Sequence, residues 1–154
     1  MQINPGKQII ILFFTLCSLL LSIAFLGFEN LMFNEIDWLL GTGDISSAQN
    51  GWTFFKNDKW HFPLGKNPNY GLDISDSIIF SDSIPLFAFF FKIFKSFLST
   101  NFQYFSLWIF MCFFFQLLFS YLIIYKSTNS IAYSLMSSIF FTISPFAIFF
   151  SMKN

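Results

Sequence analysis

The sequence predicts an all-α integral membrane protein, and three observations carry that prediction. Of its 154 residues, 55% are hydrophobic and only 10% charged, with a mean hydropathy of +0.64, whereas soluble domains average about 25% charged residues. Three uncharged apolar runs, residues 9–28, 102–125 and 131–150, are each long enough to cross a bilayer core as a helix. The charges are also sorted along the chain. All eight acids (Glu29, Glu35, Asp37, Asp44, Asp58, Asp73, Asp76, Asp82) fall within residues 29–82, and both flanks carry lysine without any acid.

The first run, 9–28, is broken only by Thr15, Ser18, Ser22 and Gly27. Lys7 and the amino terminus precede it and acids follow it, so its start belongs in the cytoplasm and the next segment outside. Gly27-Phe28-Glu29 offers no small-x-small cleavage site, which favours an uncleaved anchor over a signal peptide. Residues 29–82 form an extracytoplasmic loop with eight acids against three lysines (Lys56, Lys59, Lys66), a charge of −5. Within it, Asp44 is expected to N-cap a helix from Ile45 to about Phe55. Pro63, Gly65, Asn67-Pro68-Asn69 and Gly71 then concentrate turn formers.

Residues 84–98 predict an amphipathic interfacial helix, because Lys92 and Lys95 interrupt the apolar stretch after Phe91. A charge at mid-membrane costs about 2.5 to 3.5 kcal/mol, and a helix lying in the interface avoids that cost. The alternative is four spans, with Lys7, Lys92, Lys95 and Lys153 inside and Lys126 outside. The second span, 102–125, ends at Lys126. Residues 127–130 turn the chain into the third, 131–150, which carries Pro145 near its far end. The whole reads as a single membrane module, the front part of a longer protein, with three spans before residues 151–154. Ser130, Ser134, Ser138 and Thr142 share one helix face, as close helix packing needs, and Gln116 should face protein.

Zero net charge and the absence of a basic surface exclude nucleic acid as a partner. Cys17 and Cys112 sit in apolar runs and read as small apolar side chains. His61 is the one histidine, so no structural zinc set exists. No cofactor is called for, and a divalent metal shared by Glu35, Asp37 and Asp44 is the one metal reading left open. The loop mixes its carboxylates with Trp38, Trp52, Trp60, Phe54, Phe55, His61, Phe62 and Tyr70. Carboxylates accept hydrogen bonds from hydroxyls and serve as general bases, and aromatic faces stack on apolar ligand surfaces. Carbohydrate or lipid-linked sugar suits that mixture, as does a belt of aromatics at a membrane interface.

Trp38-Leu39-Leu40, Gly43-Asp44, Gly51-Trp52, residues 54–58 (FFKND), 60–65 (WHFPLG), 67–71 (NPNYG) and 82–86 (DSIPL) together resemble an uncharacterised family of bacterial multi-spanning membrane proteins. That family is similar to the GT-C glycosyltransferases, which take sugar from a polyprenyl-phosphate donor at the outer leaflet. The resemblance extends through Phe105-Ser106-Leu107-Trp108 to the third span. It implies a multi-pass protein of the bacterial cytoplasmic (inner) membrane, and a glycosyltransferase active only as part of a longer chain. Asp44 would be the catalytic base, and Lys56 and Lys59 phosphate contacts. Asp58, Trp60, His61 and Tyr70 would complete the substrate-binding residues. Ser47-Ala48 stands where Gln-His is usual, and Lys56 where Arg is usual, which forgoes a bidentate grip on phosphate. The alternative is a non-catalytic membrane subunit or lipid-carrier transport component, working with a partner membrane subunit.

Overall fold

The computed structural model describes residues 5–41, 43–71 and 76–151. Thr42, Asp73 and residues 152–154, including Lys153, lie outside the described residues, as do the side chains of Lys7 and Pro145. Helix makes up 68% of the chain. The one sheet among the described residues is a two-stranded ladder, so the class is all-α. The chain divides into a helical unit, Met1–Leu31 with Phe105–Asn154, and a loop unit, Met32–Tyr104.

The helical unit contains α1 (Pro5–Leu26), α4 (Phe105–Thr128) and α5 (Ile131–Ser151). Two segments, Gln8–Leu26 of α1 and all of α4, are long and apolar enough to cross a membrane. α1 stops two residues short of the predicted run. Gly27 adopts φ +84° and its N–H closes on the Ile23 carbonyl at 2.8 Å, while Asn30 Nδ2 donates to the Leu26 carbonyl; only glycine enters that left-handed conformation without strain.

α4 packs against both α1 and α5. Phe14 of α1 meets Leu117 and Tyr121 of α4 in a buried cluster, its ring edge-on to Tyr121 at 5.4 Å. Leu135 and Ile139 of α5 pack on that cluster. Ser18 and Ser22 of α1, and Ser134, Ser138 and Thr142 of α5, are fully buried, each bonding a carbonyl three or four residues back in its own helix. Small side chains that satisfy themselves in this way let backbones approach closely. Gln116 donates to the Phe141 carbonyl at 3.4 Å.

The loop unit contains α2 (Asp44–Asn57), β1 (Lys66–Asn67), β2 (Asp76–Ser77) and α3 (Pro85–Ile93), with 3-10 turns at Asp37–Leu39 and Lys95–Phe97. The strands pair antiparallel, Lys66 opposite Ser77 and Asn67 opposite Asp76; two residues per strand leave no alternation for a sequence to display. α2 buries Ala48, Gly51, Trp52 and Phe55 on one side. α3 buries Ala88 and Lys92.

Aromatic rings fill the space between these helices. Tyr104 lies 4.9 Å from Trp52 and stacks on Phe91 at 5.5 Å, and Phe89 meets Phe55 and Trp60 at 5.5 and 6.2 Å. Such pairs add about 0.5 to 1.5 kcal/mol each beyond simple burial. Gly51 permits the close approach of the 81–83 segment, since a Cβ there would stand 2.2 Å from Ser81 Oγ.

Other boundaries also differ from expectation. The predicted second span begins at 102, but α4 begins at Phe105 because residues 102–104 belong to the loop unit. Trp52 Nε1 donates to the Phe102 carbonyl, the Gln103 N–H donates to the Phe33 carbonyl, and the Tyr104 hydroxyl donates to the Ser83 carbonyl. At its other end α4 continues past Tyr125 through Lys126, whose charge complements the helix C-terminus. The N-cap of α2 is also one residue earlier than predicted. Gly43, at φ +102°, occupies it, and Asp44 is the first helical residue, with no side-chain capping bond. A glycine can take the entering conformation itself, so the helix starts sooner and reaches Asn57.

Candidate functional site

Apart from Lys56, the sequence-predicted site residues fall into two groups within the loop unit. Asp44, in the first turn of α2, is exposed. One turn on, Ser47 Oγ lies 3.1 Å from the Tyr70 hydroxyl, which also donates to the Ser47 carbonyl at 3.3 Å. The α2 N-terminus thereby ties to the 67–71 turn. It presents a carboxylate one turn from two hydroxyls, a set that can accept and orient sugar hydroxyls.

The second group surrounds Lys92 of α3. Its Nζ stands 3.7 Å from the centre of the Phe55 ring and 4.7 Å from that of Trp60, and it donates to the Lys59 carbonyl at 3.2 Å. Lys92 is 1% exposed. Among the described residues no carboxylate comes within ion-pair distance of it. Burial, opposed by the charge of Asp58 and aided by that of Lys95, brings its pKa down from 10.5 to about 8. Two aromatic faces supply much of the cation's stabilisation.

Asp58 receives the Lys59 N–H on Oδ1 at 2.7 Å. His61 Nε2 stands 3.3 Å from the same oxygen, at ion-pair distance without hydrogen-bond alignment. Burial pushes the Asp58 carboxyl up, but the Lys59 N–H, His61 and Lys92 together outweigh it and hold the carboxyl below its ordinary value. Lys95 Nζ binds the Asp58 carbonyl at 3.2 Å. Lys92 of α3 and Lys95 of the following 3-10 turn thus hold the carbonyls of residues 59 and 58. Neither was singled out as a site residue in the sequence. The available signal was the spacing of Ala88 and Lys92, one turn apart on the face opposite Leu86 and Phe90.

The structure does not bring Lys56 to either group. It is buried, and its Nζ donates to the carbonyls of Ser99 and Thr100 at 3.2 and 2.5 Å. Burial lowers its pKa. Lys59 is exposed, as is Trp60 in part, with its ring flat against Phe89. A recess of about 370 Å³ opens between Thr53, Phe54, Asn57, Asp58 and Asn69, with the Phe54 ring 5.6 Å from that of Tyr70. It shares Asp58 with the second group and is lined by amides, a hydroxyl, a carboxylate and an aromatic face. Among the described residues, no three of His, Cys, Asp or Glu gather as a metal ion would need, Glu35, Asp37 and Asp44 included.

A family model described as domain of unknown function DUF6311 matches residues 15–152, and the chain belongs to that family. No curated protein and no solved structure matches it.

Proposed function

We propose, taking membership of that family as the premise, that this chain is the N-terminal portion of a GT-C-like membrane glycosyltransferase. It would cross the bacterial cytoplasmic membrane three times, N-terminus inside, with the loop unit at the outer face. There it moves a sugar from a lipid-phosphate carrier to an acceptor. The observation that carries this reading is Asp44: an exposed carboxylate at the start of α2, without a side-chain capping bond, one turn from the Ser47 and Tyr70 hydroxyls. In the reaction Asp44 removes the proton of an acceptor hydroxyl while that oxygen bonds to the anomeric carbon. The bond from that carbon to the carrier's phosphate oxygen breaks, and the phosphate leaves with the electron pair. The adjoining recess, with Asn57, Asn69 and the Phe54 face, suits a sugar ring.

Support for three spans over four comes from α3. Its nine residues extend only ~14 Å as helix, about half a bilayer core. The test is Asp44→Asn in the complete protein, reconstituted with polyprenyl-phosphate-linked sugars. Transfer should fall by about 10²- to 10⁴-fold with unchanged membrane insertion; full retained transfer removes Asp44 from the mechanism.

One observation favours the second reading, a non-catalytic subunit or carrier-transport component. The Lys56 ammonium is committed to two backbone carbonyls, which weakens its case as a phosphate contact. That reading predicts a partner membrane subunit that copurifies with the chain, and transfer by the purified chain alone would exclude it.

A further inference from the structure

The loop unit exposes two apolar stretches that its own core does not use. One is the tip of the 60–65 loop, where Phe62 is 91% exposed, Pro63 is exposed and Leu64 is 65% exposed. The other is the outer face of α3, where Leu86, Phe90 and Ile93 recur at helical spacing and are 76%, 56% and 66% exposed. The two are joined through Phe89. Trp60 stacks on it, and Gly65 lies so close that a Cβ would stand 3.2 Å from its Cζ. The loop is therefore fastened along the Phe89 side of α3, next to the exposed face.

Phe62 and Leu64 flank Pro63 in the sequence, and both are largely exposed, so the loop unit's core requires neither. Lysines flank the tip on both sides, with Asp58 held in its own contacts to the Lys59 N–H and His61. Lys59 precedes Phe62 by three residues and Lys66 follows Leu64 by two, both exposed. Lysines flanking large apolar side chains match the boundary between lipid tails and anionic headgroups, the stems lying along the apolar layer and the ammonium groups reaching phosphate. Continuity of the chain points the same way: Tyr104, which packs on Phe91 of α3, is the residue before α4, a helix long and apolar enough to cross a membrane.

We propose that the Phe62-Pro63-Leu64 tip is a lipid-inserting wedge. It enters the acyl layer of the leaflet alongside the outer face of α3, with Lys59 and Lys66 on anionic headgroups, and so fixes the depth at which the Asp58–Lys92 group and its recess meet the membrane. This rests on the membrane part of the proposed function and not on sugar transfer.

The experiment is spin labelling of the full chain, Cys17 and Cys112 replaced by alanine, in nanodiscs of phosphatidylcholine and phosphatidylglycerol. Labels are placed singly by Phe62→Cys, Leu64→Cys, Asn50→Cys on the exposed side of α2, and Phe119→Cys on the exposed side of α4. Phe62 is almost fully exposed, so its replacement removes no packing, and Leu64 is an independent second position. Collision rates are read with oxygen, which concentrates in lipid, and with a water-soluble nickel chelate. Labels at 62 and 64 should favour oxygen, as at 119, and the label at 50 should favour nickel. Nickel preference at 62 and 64 with oxygen preference at 119 overturns the wedge and leaves the membrane reading standing. Nickel preference at 119 overturns both. Exclusion of both reagents at 62 and 64 means protein covers the tip, and that also overturns the wedge.

Discussion

Lys92 is a charge placed where the fold would be expected to put a methionine. Because the unfolded chain holds this proton up to about pH 10.5 and the folded chain releases it near pH 8, the unfolded state binds more protons between those limits. Stability therefore rises with pH across that window, and below about pH 8, where both states are protonated, the contribution is flat and unfavourable. Lys92→Met keeps the stem that lies against Phe55 and Trp60 and removes the charge. Thermal midpoints of the nanodisc-embedded protein, measured from about pH 7.5 to pH 10.5, should rise more for the native protein than for the variant. Identical slopes would show that the cation is fully accommodated by its rings and the Lys59 carbonyl.

At the level of elements, α2 and α3 are held together by rings and by backbone groups borrowed from the 102–104 segment. Trp52 illustrates the coupling. It is fully buried, it meets Tyr104 at 4.9 Å, and its indole N–H satisfies the Phe102 carbonyl at 2.9 Å. Trp52→Phe preserves an aromatic face but strands that carbonyl, a loss of about 1 to 3 kcal/mol. The expected result is a lower thermal midpoint and loss of near-ultraviolet dichroism from the loop unit before the helical signal melts. Simultaneous loss of both signals would mean that the two units unfold as one. Burial also raises the Tyr104 hydroxyl well above its ordinary pKa, in keeping with a phenol that stays neutral and donates to Ser83.

For the whole molecule, the proposed topology makes a prediction that separates three spans from four. In a cysteine-replaced full chain, Asn50→Cys should react with an impermeant maleimide on intact cells, and Ser127→Cys only after permeabilisation. Both positions are exposed. If residues 84–98 crossed the membrane, the turn after Lys126 would lie outside and both cysteines would react at once. Labelling of Ser127 in intact cells would therefore replace the three-span arrangement.

Apolar periodicity and run length determined the helices. A stretch such as 9–28, twenty residues without a charge, is long enough to read as a helix without any knowledge of its neighbours. Helix ends were legible only to within a few residues, because they depend on one glycine's conformation at Gly27 and Gly43 and on distant hydrogen bonds to residues 102–104. The membership of the loop's site was partly legible. Asp58, Trp60 and His61 are adjacent in sequence and stay together, and Tyr70 reaches Ser47 across 23 residues. Lys56 and Lys92 were not legible, since a lysine's composition says nothing about whether its flexible stem leads the charge to water or to a carbonyl. Only the packed aromatic core decided that, by enclosing one ammonium between Phe55 and Trp60 and turning the other onto Ser99 and Thr100.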